Sequence, residues 1–222
     1  LSHGLPPKAC SQKGREQIHS ASGATFLVAS LQMAPHTPVK GARTFVPIQI
    51  FAHPFPAFLA TDVCQLGILG QNVLLEKQAQ SNGIFSSLEQ RLLIGHGKCR
   101  LSIAVPHDFT YNSIASLNGK VIATSYKGLL GQYLASQNIR ADIVTMEGAV
   151  EVAPRTHLAD VICDLVSTGS TLSSNGLVEK DVVMQSQAVL VTNQISDPEI
   201  AAIADKITSR LQAVLRAENS RY

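Results

Sequence analysis

The alternation of apolar and polar positions is clearest from residue 98 onward. CRLSIAVP (99–106) alternates, then turns apolar until Pro106 ends it, the pattern of a strand. KVIATSY (120–126), ADIVTM (141–146) and ADVICDLV (159–166) predict three more strands. Between them, SIASLNGK (113–120) reads as a short helix closed by Asn-Gly, and GLLGQYLASQN (128–138) carries helical spacing at Leu129, Leu130, Tyr133 and Leu134. Gly148 and a helical turn through AVEVAPR (149–155) follow. Strand–helix–strand alternation of this kind predicts an α/β fold with parallel strands buried on both faces. VEKDVVMQSQAVLVTN (178–193) then gives two consecutive β-branched runs, suited to a crossing back into another lobe. The end of the chain opens on an N-cap signature, Asp197 with Pro198 at the first helical position and Glu199 in the first turn. Ile200, Ile203, Ile207, Leu211, Val214 and Leu215 fall on one face behind it, the stripe of a long helix packed on a core.

The first third is less regular. APHTPVKGARTFVP (34–47) is rich in Pro and Gly and reads as loop, followed by a strand, VPIQIF (46–51). AHPFPAF (52–58) carries two prolines, which exclude a central strand or a helix interior. VCQLGILG (63–70) predicts a buried strand that leads into a helical turn or two over QNVLLEKQAQ (71–80).

Composition narrows the function classes. The 222 residues are 45% hydrophobic and 15% charged, with net charge +2, enough chain for one large domain or two lobes with real cores. Lys and Arg are scattered, aromatics are 5% and Trp is absent, so neither a nucleic-acid footprint nor a stacking platform is expected. No apolar run reaches about 18 residues, and LSHGLPPKAC lacks the pattern of a signal peptide. No membrane association is expected, and the location is expected to be cytoplasmic. The four cysteines form no C-x-x-C pair and are expected as free, at least partly buried thiols in a reducing cytosol. The seven histidines show no ligand spacing, so no protein-built metal site is expected.

The candidate chemistry lies in CDLVSTGSTL (163–172). A buried strand runs directly into Ser167, Thr168, Gly169, Ser170 and Thr171. Loops at the carboxyl ends of parallel strands are where α/β proteins bind ligands. Small residues admit an anion close to the backbone, and hydroxyls stand beside free N–H groups if a helix starts there. The loop therefore reads as a phosphate cradle, though not a Walker loop, because G-x-x-x-x-G-K-[ST] is absent. Asp160 and Asp164, four apart, share a face of the strand and are placed to hold ribose hydroxyls. A Ser/Thr-rich turn capping a helix, with Asp164 as a local hydrogen-bond partner, accounts for the same residues.

KCRLSIAVP (98–106), GKVIATSY (119–126), GAVEVAPRTHLADVICDLVSTGSTLSSNGLVE (148–179) and LQAVLRAENSRY (211–222) together resemble the ATP phosphoribosyltransferase family, from about residue 66 to the end. The resemblance implies transfer of the phosphoribosyl group of phosphoribosyl pyrophosphate (PRPP) to N1 of ATP with release of pyrophosphate, the first step of histidine biosynthesis. It implies two lobes like a periplasmic binding protein, with mostly parallel sheets and a cleft between them. Lobe one is then 1–104 completed by 186–222, and lobe two is 105–185. It also implies a PRPP site of Asp160, Asp164 and Ser167–Thr171, with Glu151 and Asp164 at the reacting centre. Lys13, Arg15 and Arg155 are implied at the nucleotide. Mg²⁺ is expected on the pyrophosphate rather than in a protein cage, and a homodimer or hexamer is expected. RAENSRY resembles the junction ahead of a regulatory domain in the family's long form, so a catalytic core with weak or no histidine inhibition is expected.

The resemblance has gaps. QKGREQI (12–18) keeps Lys13, Gly14 and Arg15 but has Glu16 where the family has Leu, and the helix expected next shortens to EQIHSASGATF (16–26). Gln65 and Gln71 stand where the family commonly has acids, and Lys127 where it has Pro. These departures leave open a catalytically impaired paralogue or regulatory subunit that keeps PRPP or nucleotide affinity. A solute-binding protein that shares only the fold is the third reading.

Overall fold

The computed structural model describes residues 25–33, 43–51 and 55–220. Within them the strands form two five-stranded sheets. The first contains β1 (Thr25–Met33), β2 (Arg43–Phe51), β3 (Leu66–Gly70), β4 (Glu89–Leu93) and β10 (Ala188–Thr192), in the order β2-β1-β3-β10-β4. The second contains β5 (Cys99–Pro106), β6 (Val121–Thr124), β7 (Asp142–Thr145), β8 (Val161–Val166) and β9 (Leu177–Ser186), in the order β7-β6-β8-β5-β9.

The α/β class and the two-sheet plan follow the sequence reading, but the sheets are mixed rather than mostly parallel. Only β6–β7 and β6–β8 run parallel among the described pairs. The reason lies in the crossings. β5 carries the chain away from the junction, while β8 and β9 both return toward it. Because β5 lies between them, it is antiparallel to both, with Arg100 opposite Val166 and Cys99 opposite Ser186. β10 does the same in the first sheet, between β3 and β4. The expected division at 104/105 therefore cuts through β5, whose residues all lie in the second sheet; the outward crossing is 94–98, and Gln187 alone separates β9 from β10. The two crossings are bonded together. Ala188 N–H donates to the His96 carbonyl at 2.9 Å, Ile94 N–H to the Ala188 carbonyl at 2.9 Å, and Gly95 N–H to Gln187 Oε1 at 2.9 Å.

The central strands β3 and β10 of the first sheet and β5, β6 and β8 of the second are covered on two faces, which explains their apolar runs. On β10, Val189 and Val191 pack with Leu59, Leu69 and Leu74, while Leu190 faces Ala204 on the long helix α5 (Pro198–Asn219). Asp197 caps α5, its Oδ1 accepting from Glu199 N–H at 2.9 Å. In the second sheet Leu101, Ile103 and Cys163 face α3 (Lys127–Ser136), and Ala104, Ile162 and Val166 face the opposite side.

Four elements depart from the expectations. α1 (Phe55–Ala60) begins inside AHPFPAF; Pro56 is its second residue, in the first turn, where a missing N–H costs nothing. Thr25 and Phe26 open β1 rather than closing a helix, and β2 starts at Arg43, within the expected loop. β4 was hidden because EQRLL is an edge strand, mostly exposed and without an apolar alternation.

The sheets' helices meet through α2 (Gln71–Gln80) and α3. Glu76 of α2 is 5% exposed, and its carboxylate accepts Gly128 N–H and Leu129 N–H, each at 2.8 Å. These donors belong to the first turn of α3, whose own N-cap, Tyr126, supplies no side-chain bond. Asn72 Nδ2 donates to the Tyr126 hydroxyl at 2.9 Å, and Ser186 Oγ donates to Asn72 Oδ1 at 2.8 Å. A Cβ on Gly128 would stand 2.8 Å from that of Ala79. Glu76→Ala is expected to cost about 1.5–3 kcal/mol, and Gly128→Ala about 1–3 kcal/mol, read as lower denaturant midpoints. A wild-type midpoint in both variants would show that this contact does not hold the lobes.

Candidate functional site

β8 ends at Val166, and the chain turns through Ser167, Thr168 and Gly169 into the five-residue helix α4 (Ser170–Ser174). Gly169 takes φ +84°, a left-handed conformation that a side chain would strain. Buried Leu172 anchors α4 beneath, while the hydroxyl residues Ser167, Thr168, Ser170 and Thr171 are exposed. Thr168 Oγ1 and Ser170 Oγ share a hydrogen bond at 3.0 Å, and Ser173 N–H donates to the Gly169 carbonyl at 3.1 Å. The structure thus brings Ser167–Thr171 together as one open rim at the carboxyl end of β8.

Asp164 stands on β8 just below this rim, half-buried, opposite Ser102 of β5. Burial pushes its carboxyl above the ordinary range; Leu165 N–H, donating at 2.8 Å, opposes this, and the like charge of Glu151 adds to the rise. Glu151 lies on a 3₁₀ turn (Val150–Val152) pinned by buried Val150. Two carboxylates therefore face one region beside the loop. Tyr126 borders it too: its hydroxyl is pushed up to about 12, first by burial, with Asp164, Cys99 and Glu76 adding to the rise.

Asp160 is not part of this group. Its spacing from Asp164 placed it on the right face but at the wrong end: it precedes β8, about 13 Å down the strand from Asp164. It is exposed, and its Oδ2 accepts Val121 N–H at 2.8 Å, which ties β8 to β6. Arg155 is exposed after the 3₁₀ turn, with no hydrogen bond or ion pair to the loop among the described residues. Lys13 and Arg15 lie outside the described residues. Cys163 is fully buried, and burial raises its thiol, so it is a packing residue; Cys64 and Cys99 are free thiols as well.

Sequence reasoning missed Arg100 and Glu179. Arg100 Nη1 donates to the Ser167 carbonyl at 3.2 Å, and Glu179 accepts from Arg100 Nε and Nη2 at 2.5 Å each. The available signal was parity: Arg100 and Ser102 alternate on the face of β5 that meets Asp164. Between the sheets lies a recess of about 230 Å³, lined by Gln71, Lys98, Gln185, Ser186 and Gln187. A larger hollow of 490 Å³ between α3 and β7 includes Gly119 and Asp142, at the opposite ends of β6 and β7 from the loop.

Residues 52–213 match the family profile described as ATP phosphoribosyltransferase. The chain belongs to that family. It is 42% identical over 168 residues to an ATP phosphoribosyltransferase of Maricaulis maris and 44% identical over 167 residues to one of Bacteroides fragilis, each alignment covering 75% of this chain. The chain spans 57% and 56% of the lengths of those two relatives. Among solved structures it is similar to the ATP phosphoribosyl transferase (HisG:HisZ) complex from Thermotoga maritima, with TM-score 0.62 and 28% identity over 74% of this chain and 76% of that one. The periplasmic aliphatic sulphonate binding protein of Escherichia coli shares the fold, with TM-score 0.50 and 14% identity over 75% of this chain and 61% of that one.

Membership in the ATP phosphoribosyltransferase family gives the departures at Gln65 and Lys127 a physical reading. Gln65 is 7% exposed and donates to the Asp62 carbonyl at 3.0 Å; it sits at the start of β3, the end away from Tyr126 and the loop. Lys127 is the first residue of α3, a position that suits Pro and ordinary helix formers alike.

The raised Asp164 makes a signed prediction. An acid whose folded pKa is raised opposes folding where it is ionised, and that cost fades as pH falls through the folded value toward the ordinary one of about 3.9. Asp164→Asn is therefore expected to melt above wild type at pH 7, with the gap closing toward pH 4. A variant that melts lower at pH 7 would refute the burial argument.

Proposed function

We propose that this chain transfers the phosphoribosyl group of PRPP to N1 of ATP, giving phosphoribosyl-ATP and pyrophosphate. The observation that carries the reading is the open hydroxyl rim of Ser167–Thr171 directly above Asp164, inside the stretch that matches the family. In this reading the rim holds the 5′-phosphate through hydroxyls and backbone N–H groups, and Asp164 meets the ribose. Substitution at C1′ passes through an oxocarbenium-like state. Asp164 and Glu151, held near each other and partly desolvated, offer negative charge where positive charge develops. The rigid end of β8 fixes the ribose, so the reactants meet in order rather than by collision.

Mg²⁺ suits this donor set. Burial raises Asp164, the charge of Glu151 adds to the rise, and a nearby cation offsets the cost of keeping that carboxylate ionised. A magnesium ion borne on pyrophosphate oxygens and waters supplies that charge and eases departure of the leaving group. Arg155, together with Lys13 and Arg15, is proposed to meet the nucleotide phosphates.

The impaired-paralogue reading relied partly on Gln65, which the fold places away from the loop as a local hydrogen-bond partner. We further propose that the chain works in the cytoplasm as a homo-oligomer. Among the described residues no helix is long and apolar enough to cross a membrane.

The test is pyrophosphate release from ATP, PRPP and Mg²⁺. Asp164→Ala is expected to lower kcat on the order of 10²-fold, and Thr168→Ala to raise KM for PRPP about tenfold. Release that needs only one substrate, or that survives Asp164→Ala unchanged, would sink the proposal.

A further inference from the structure

The loop's two ends are held differently. Its C-terminal end is anchored by buried Leu172, but its first peptide leaves the sheet at exposed Ser167. The hydrogen bond from Arg100 Nη1 to the Ser167 carbonyl, at 3.2 Å, secures that peptide from the neighbouring strand. The carbonyl of Ser167 and the N–H of Thr168 belong to one planar trans unit and point in opposite directions. Fixing the carbonyl toward Arg100 therefore turns the Thr168 N–H away from it.

Arg100 is itself held. Glu179 grips it through two parallel bonds of 2.5 Å, Nε to Oε1 and Nη2 to Oε2, and also accepts the Ser102 hydroxyl at 2.7 Å. A planar guanidinium makes these two bonds and still presents Nη1 to a third acceptor; an ammonium cannot hold the same fork. The carboxylate offsets the guanidinium's charge, so the pair contributes direction more than field. We propose that Arg100 and Glu179 are positioning residues that set the Ser167–Thr168 peptide to receive the PRPP phosphate. This rests on the function proposed above.

The test is calorimetric titration of the full chain with Mg²⁺-PRPP and, separately, with Mg²⁺-ATP, for wild type, Arg100→Lys and Glu179→Gln, with thermal melts in parallel. Arg100→Lys keeps the charge and Glu179→Gln keeps the shape. Each is expected to weaken PRPP binding about five- to twentyfold, leaving ATP affinity within twofold and the melting midpoint within a few degrees. Hydrogen exchange at residues 167–171 is expected to rise in both. PRPP affinity within twofold of wild type in both variants would overturn this inference alone. Parallel loss of ATP and PRPP affinity with a lower melt would also overturn it, leaving a general structural role. A wild-type chain that binds no PRPP would overturn both this inference and the proposed function.

Discussion

The arrangement depends on one buried carboxylate. Glu76 leaves α2, crosses the lobe boundary and binds the first free N–H groups of α3. A charge removed from water is costly unless its oxygens are satisfied. Here the satisfaction comes from Gln80 Nε2 on the same helix, 2.5 Å from Oε1, and from two backbone donors that α3 would otherwise leave open, so each side meets the other's need. The bond forms only when the two helices stand at one separation, and Gly128 sets it by presenting no Cβ to Ala79. Asn72, Tyr126 and Ser186 extend the same contact to the end of β9. The region beside Asp164 and Glu151 is thus framed by a hydrogen-bonded contact that fixes how the second sheet meets the first.

Much of this could be read from the sequence wherever a segment is buried on one or both faces. β5 and β8 were legible because their apolar pattern matches their packing, and α5 as far as Leu211, whereas Val214, expected on the same stripe, is exposed. The loop was legible because hydroxyl and glycine residues follow a buried strand directly. The failures share a cause. Strand direction depends on where the chain crosses between lobes, and no local pattern encodes that; β5 looks the same whether it runs with β8 or against it. β4 has almost no buried face to write into its sequence. Asp160 shows the limit of parity, which assigns a side of a strand but not an end. Arg100 and Glu179 are 79 positions apart and meet only because β5 and β9 pair.

Departures from a family pattern call for the same physical care. A Gln in place of an acid reads as a lost function when position is unknown. In the fold, Gln65 closes the turn after α1 with an amide donor, a bond that an ionised carboxylate could not make to the Asp62 carbonyl. Lys127 occupies a helix start at which Pro loses nothing.

The junction between the sheets is a two-stranded ribbon of unequal tethers, 94–98 on one side and Gln187 on the other, stitched by bonds from Ala188 to His96 and from Ile94 to Ala188. Such a ribbon is anisotropic. Flexing across its face leaves the cross-bonds intact, whereas rotating one end against the other shears them. Once the Glu76 contact parts, relative motion of the lobes is therefore channelled into bending of this ribbon, and the rim at Ser167 would move along an arc rather than wander over a surface.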